Sequence, residues 1–402
     1  MSNETIDYNL NNNDHTDPQY QDLEPVDNAG ESLNENRSWF GISRRAWRLF
    51  VKSFLVTTFS FSALLLAGFL VWNRAVVPPQ PTPMEFRPVP QVVRPQDPYA
   101  EPEDDDEYEP ELEYIWPAPE RFTDDDRRDY FWTFLIIGLN EGRNANTVMV
   151  ASYCGVTREA NLISIPRDVA INSNRSGSAR KLASSYLAGA RAGRAGGVAQ
   201  VQRDVMNVIG FIPDYYVVID YETFFTIIDA VDGIEVYVPI RMRYQDPCQN
   251  LDIDIQPGMQ HMDSATALDF VRFRQANRNS GYPSLQGGDF GRVKNQQAVI
   301  NAVISRLLRP ANILRIREFV GIFNDSVYTN LTFREMMYFG LELNHVRGAD
   351  ALSTDTFLPV RSSGRPFYFE FLSASNVLEI VNSTINPFYE DIEPGDLNIL
   401  RE

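Results

Sequence analysis

The sequence predicts an α/β domain, a sheet with helices on both faces, preceded by one transmembrane helix. Three observations carry this reading. Short runs dense in apolar and β-branched residues alternate with segments of helical spacing from residue 130 onward. A single stretch, 54–72 (FLVTTFSFSALLLAGFLVW), runs nineteen residues without a charge, between Lys52 and Arg74. The segment joining the two is acidic and rich in proline, with the texture of neither.

Taken in chain order, residues 1–36 hold nine acidic side chains and no Lys or Arg, so 1–52 is expected to be a disordered cytoplasmic tail. A helix over 54–72 spans about 28 Å at about 1.5 Å per residue, the thickness of a bilayer's hydrocarbon core, and the transmembrane segment is placed at 53–73. A cleaved signal peptide does not fit, because a long polar segment precedes the run and no small-residue cleavage site follows it. Arg44, Arg45, Arg48 and Lys52 stand just before the span, whereas acidic sequence follows Arg74. The positive-inside rule then leaves the N-terminus in the cytoplasm and the remainder outside, with Trp47 and Trp72 as interface anchors.

Residues 75–129 carry twelve of the 25 prolines, and 97–129 hold fifteen acidic against three basic side chains. Proline-rich sequence tends to polyproline II, so 74–129 reads as a stiff, self-repelling extracytoplasmic stalk. The net charge of −18 therefore describes the tail and the stalk, since 130–402 holds 29 acidic and 25 basic residues. No basic groove for nucleic acid is indicated.

Strands are expected at 131–138, 147–152 and 160–165, then a helix at 198–209, a strand at 215–219 and a helix at 223–231. A strand at 234–239 follows the Asp232-Gly233 turn, with helices at 264–270, 292–308, 332–344 and 375–385. A strand at 356–359 and a loose tail from 387 complete the domain, which is bounded at 130–390 with 391–402 as C-terminal tail.

The domain has no nucleophile elbow, zinc spacing, Walker loop or dinucleotide fingerprint. His261 and His345 are its only histidines, which disfavours a catalytic triad. Cys154 and Cys248 form no metal set, and either pairing or two free thiols is compatible with the sequence. What stands out is arginine at strand ends. Ser164-Ile165-Pro166-Arg167-Asp168 closes an apolar strand. Val271-Arg272-Phe273-Arg274 reads as an extended segment after a short helix, with both arginines on one side. Gly288-Asp289-Phe290-Gly291-Arg292 leads into the next helix, which is expected to start at Arg292. Guanidinium groups bind phosphate bidentately, so four converging arginines would suit a pyrophosphate; isolated, each is a surface ion pair. The chain has 33 arginines and three lysines, of which Lys181 and Lys294 lie in the domain.

The segments 134–147 (FLIIGLNEGRNANT), 162–168 (LISIPRD), 258–274 (GMQHMDSATALDFVRFR) and 288–297 (GDFGRVKNQQ) together resemble the LytR-CpsA-Psr family in order and spacing. The resemblance covers about residues 130–345, and that family's single N-terminal transmembrane helix matches 54–72. It implies an α/β/α sandwich with a central mixed sheet and an apolar pocket for a polyprenyl tail. It also implies a membrane-anchored phosphotransferase of the bacterial cell envelope. Such enzymes move a glycopolymer from a polyprenyl-pyrophosphate carrier to peptidoglycan, usually the 6-hydroxyl of N-acetylmuramic acid, or to another wall glycan, forming a phosphodiester.

On the same resemblance, Arg167, Arg272, Arg274 and Arg292 fall on arginines that bind the pyrophosphate head group. Lys181 and Gln296 or Gln297 join them, and Asp289 is the candidate base beside Arg272 and Arg274. The family's Mg²⁺ is held partly by two aspartates, whose positions are Asn140 and Asn146 here. Asp168 or Glu141 would compensate for the lost charge, or the site would work without metal. Two other expectations stand beside a transferase: a pseudoenzyme that binds polyprenyl phosphates, and a transcriptional attenuator, which the external domain without a basic face disfavours.

Overall fold

The computed structural model describes residues 43–75, 77–81, 90–91, 113–114 and 122–400, except 142, 250, 287, 347–351 and 364–365. Most of the expected tail 1–52 and stalk 74–129 lies outside the described residues.

The N-terminal helix, Arg44–Ala75, begins nine residues before the expected boundary, so the basic cluster is helical rather than part of the tail. Its Arg45–Ala67 segment, which contains a stretch of mean hydropathy 1.8, is long and apolar enough to cross a membrane. Phe54, Leu55, Phe59 and Leu64 are all exposed along it.

The domain is built on a six-stranded mixed sheet ordered Tyr328–Thr329, Tyr215–Ile219, Phe131–Leu139, Ala145–Cys154, Glu159–Ile165, Leu352–Thr356. Phe131–Leu139 pairs parallel to Tyr215–Ile219, and Leu352–Thr356 parallel to Glu159–Ile165. Ala145–Cys154 runs antiparallel to both of its neighbours, so four strands point the same way. Alternation along Phe131–Leu139 sends Leu135, Ile137 and Leu139 to one face. There they pack with Val198, Val201, Val205 and Ile209 of helix Gly193–Ile209 and Val377 of helix Ala374–Ile380. Trp132 and Phe134 point to the opposite face, against Tyr338 and Phe339 of helix Phe333–Glu342. Further along that face, Ile136 and Gly138 open into a cavity.

A second core forms the cavity's other wall. It joins two antiparallel pairs, Ile234–Val238 with Gly258–Met262 and Met242–Asp246 with Leu251–Ile255, to helices Ser264–Arg272 and Asp289–Leu307. The second pair and helix Ile316–Ser326 extend the expected elements, and the expected strand at 356–359 lies instead at Leu352–Thr356 and Pro359–Ser362.

Three expectations are corrected. Helix Ser264–Arg272 continues through Arg272, and only from Phe273 (φ −62°, ψ 131°) is the chain extended. Residues 387–400 are not a loose tail: Phe388, Ile392 and Leu397 are buried in the main core, and Ile399 bridges to Ile171. Pro79, in the expected stalk, is docked on the domain, where its carbonyl accepts the Trp132 indole N–H at 2.9 Å. A buried indole N–H needs such an acceptor.

Candidate functional site

The four parallel strands end on one edge of the sheet, at Leu139, Ile165, Ile219 and Thr356. Loops leaving the carboxyl ends of such strands are where α/β folds gather ligand-binding groups. Here they deliver Asn140, Arg167 with Asp168, and Asp220 with Tyr221 to a cavity of about 740 Å³. Its lining combines apolar side chains, among them Ile136, Ile219, Phe224, Leu268, Val271 and Val299, with Arg167, Lys181, Arg272, Arg274, Arg292 and Gln296. Gly138 must stay bare at this rim, because a Cβ there would lie 2.9 Å from Thr147 Cβ on the paired strand.

Local folding explains how the cations arrive. Pro166 ends the Glu159–Ile165 strand, and the following loop is fixed by the Ala183 N–H to Arg167 carbonyl bond (2.8 Å) and the Leu182 N–H to Val169 carbonyl bond (3.0 Å). That brings Lys181 Nζ to 2.7 Å from Asp168 Oδ1. Helix Asp289–Leu307 is tied to the preceding helix by Asn295 Nδ2, which donates to the Phe270 carbonyl at 2.9 Å. Helical spacing then puts Arg292, Gln296, Val299 and Ile300 on the cavity side.

Asp289 sits among three guanidinium groups. Its carboxylate lies 2.8 Å from Arg292 Nη2, 3.0 Å from Arg274 Nε and 3.4 Å from Arg167 Nε. Arg167 Nε is also 3.7 Å from Asp168, linking the two carboxylates in one cluster. Arg272 stands over the Tyr221 ring, 5.7 Å from its centroid, a cation–π contact. Burial, together with Arg167 and Arg274 nearby, pushes Arg292 down to about 10 against the opposing pull of Asp289, so it remains charged at neutral pH. The buried Nε atoms of Arg167 and Arg292 have no hydrogen-bond partner, which leaves donor capacity for an anion.

The two glutamines separate. Gln296 lines the cavity, whereas Gln297 is buried and donates to Ser164 Oγ and the Asp355 carbonyl, both at 2.9 Å. Lys294 is exposed. Cys154 and Cys248 are free thiols. Tyr221 and Asp220 are cavity residues that the motifs did not single out. Asp220 caps helix Tyr221–Ala230 by accepting from the Thr223 N–H at 2.9 Å, and an Asp just before a helical run was the available signal.

The donor set does not suit a hard divalent cation. Asn140 Oδ1 accepts the Asn144 N–H at 2.9 Å, and Asn146 Oδ1 accepts Arg167 Nη1 at 3.1 Å. Asp168 is already paired with Lys181 and Arg167. Among the described residues no group of three or more His, Cys, Asp or Glu is arranged to hold a metal. A Mg²⁺ ion prefers octahedral oxygen ligation supported by carboxylates, and here an amide oxygen faces a guanidinium instead.

Comparison with known proteins places these features in a family. A profile of the LytR_cpsA_psr family matches residues 122–365. TagV of Bacillus subtilis, named a polyisoprenyl-teichoic acid–peptidoglycan teichoic acid transferase, is 26% identical over 253 residues, which cover 61% of this chain and 59% of TagV. The regulatory protein MsrR of Staphylococcus aureus is 23% identical over 235 residues, 58% of this chain and 65% of MsrR. The chain thus spans about three fifths of the length of these relatives. Among solved structures, B. subtilis TagV superposes with a TM-score of 0.52 at 22% identity, covering 64% of this chain and 96% of that one. A structure titled TagT bound to LIIa-WTA superposes with a TM-score of 0.51 at 16% identity, covering 65% and 91%. At these identities the superpositions speak for the fold, a mixed sheet flanked by helices. On the family profile, which spans more than half of its length, the chain belongs to the LytR_cpsA_psr family.

Proposed function

We propose that the chain is a membrane-anchored phosphotransferase that moves a glycopolymer from a polyprenyl-pyrophosphate carrier to peptidoglycan or another wall glycan, forming a phosphodiester. One observation carries this reading: a single cavity lined by both apolar side chains and five cations, Arg167, Lys181, Arg272, Arg274 and Arg292. A lipid pyrophosphate needs both, an apolar sleeve for the chain and guanidinium donors for the phosphates. TagV and TagU of Bacillus licheniformis are named for the same class of transfer.

In the proposed step the acceptor hydroxyl oxygen attacks the phosphorus that bears the glycan. Its bond to the bridging oxygen breaks, and polyprenyl phosphate leaves with the electron pair. Asp289 takes the hydroxyl proton once its arginines turn to the pyrophosphate. Charge builds on the phosphoryl and leaving oxygens, and positioned guanidinium groups stabilise it. The N-terminal helix keeps the enzyme at the bilayer that holds its donor, with the tail in the cytoplasm and the domain outside.

A second reading is a protein that holds polyprenyl phosphates without transferring them, which the engaged amides of Asn140 and Asn146 favour. Reconstituting the full chain with a lipid-linked glycan donor and a glycan acceptor separates the two. Transfer is expected as a phosphodiester-linked product. No product at any Mg²⁺ or Mn²⁺ concentration, with a polyprenyl phosphate extracted from the purified protein, would leave only the binding role.

A further inference from the structure

We infer that this site holds its pyrophosphate with protein cations alone, Arg167 engaging the Asn146 amide oxygen that a divalent cation would otherwise use. The inference rests on the function proposed above and concerns how the same site binds.

The first line of reasoning is hydrogen bonding. Asn146 Oδ1 accepts Arg167 Nη1 at 3.1 Å, and Asn140 Oδ1 accepts the Asn144 N–H at 2.9 Å. An entering cation would have to share the first oxygen with a guanidinium, which repels it, and the second with a loop bond. A carboxylate could offer further lone pairs and a charge; a neutral amide has one lone pair left on its oxygen and no charge to offer.

Charge gives the second line. Arg167, Lys181, Arg272, Arg274 and Arg292 face Asp168, Asp289 and Asp220, an excess of two positive charges among the groups at the cavity. A pyrophosphate esterified at both ends carries one negative charge on each phosphate, so the site and ligand balance as they stand. Carboxylates at positions 140 and 146 would cancel the excess, and a divalent cation would then be needed to restore it. The amides and the absence of need for a metal are thus two sides of one balance. The third line is the buried Nε–H on each of Arg292 and Arg167, neither of which makes a hydrogen bond, although that of Arg167 lies within ion-pair distance of Asp289 and Asp168.

Titration of the full chain in detergent with farnesyl pyrophosphate esterified at its other end to N-acetylglucosamine, in EDTA and in saturating Mg²⁺, tests this. Wild type is expected to bind with a Kd that changes by less than about threefold between the buffers. The Asn140→Asp, Asn146→Asp double variant is expected to bind at least about tenfold more weakly in EDTA and to recover in Mg²⁺. Arg167→Ala, with its thermal unfolding checked for a retained fold, is expected to lose binding in EDTA. Wild-type binding that needs Mg²⁺, or Arg167→Ala binding as wild type in EDTA, overturns the inference and leaves the transferase reading standing. No binding by wild type in either buffer overturns both.

Discussion

Gln297 reaches from the middle of helix Asp289–Leu307 to the Ser164 hydroxyl, 2.9 Å away at the end of strand Glu159–Ile165. This buried bond, with its partner to the Asp355 carbonyl, fixes the rotation of the helix and so aims Arg292 and Gln296 at the cavity. Sequence motifs place the two adjacent glutamines in one role; the helix gives them different ones.

Gln297→Leu should therefore destabilise the domain by about 1–3 kcal/mol, since it orphans a buried hydroxyl and a carbonyl. Gln296→Leu should shift stability by less than about 0.5 kcal/mol while weakening head-group binding. Denaturant unfolding of the two variants checks this, and equal stability for Gln297→Leu and wild type would refute it.

Arg272→Ala and Arg274→Ala should each lower transfer by about 10²–10³-fold while leaving the domain folded. The Arg274 side chain is 47% exposed, so its loss removes little packing. Initial rates beside far-UV circular dichroism decide, and unchanged activity in both variants would remove the head-group assignment.

Glu370 offers a pH signature. Burial raises its carboxyl above the ordinary value of 4.5, with Asp168 and Asp289 adding to the rise and the Tyr368 hydroxyl opposing it. A group raised in the folded state gives its full stabilisation below 4.5 and loses it as pH climbs through the folded value. Wild type should thus lose Tm relative to Glu370→Gln between about pH 4 and about pH 7. A Tm gap that stays constant across that range would count against it.

Gly138→Ala should cost about 1–3 kcal/mol, because the new methyl group meets Thr147 across a sheet pair that cannot spread. Thermal unfolding measures the cost. A variant as stable as wild type would show that the two strands separate more readily than their pairing suggests.

The central sheet was legible because its strands are continuous apolar runs; Tyr215–Ile219 has the bounds its five apolar and aromatic residues imply. The arginine cluster was legible because its members sit at element ends and share motifs with a known family. Other features depended on distant partners. Residues 242–255 alternate polar and apolar around a short turn, yet only their packing on Phe270 and Phe273 reveals the second wall of the cavity. Arg272 read as extended because Phe273 between Arg272 and Arg274 mimics strand alternation, while the Asp269 carbonyl in fact accepts the Phe273 N–H and the helix runs two residues past the expected end. Phe388, Ile392 and Leu397 stand singly among acidic residues and prolines, a spacing that has no local meaning.

Those last residues have a consequence for how the domain comes into being. Phe388 stacks on Phe122 with ring centroids 4.1 Å apart and planes 6° from parallel, and Tyr389 and Asp126 share a backbone bond of 2.9 Å. The beginning and the end of the domain are thus sewn together. Contacts this remote in sequence form late, after the loop-closure entropy of the whole chain has been met. A chain folding from its N-terminus as it is made would present an open seam until Phe388 emerges, and the arginine site would be secured only when that seam closes.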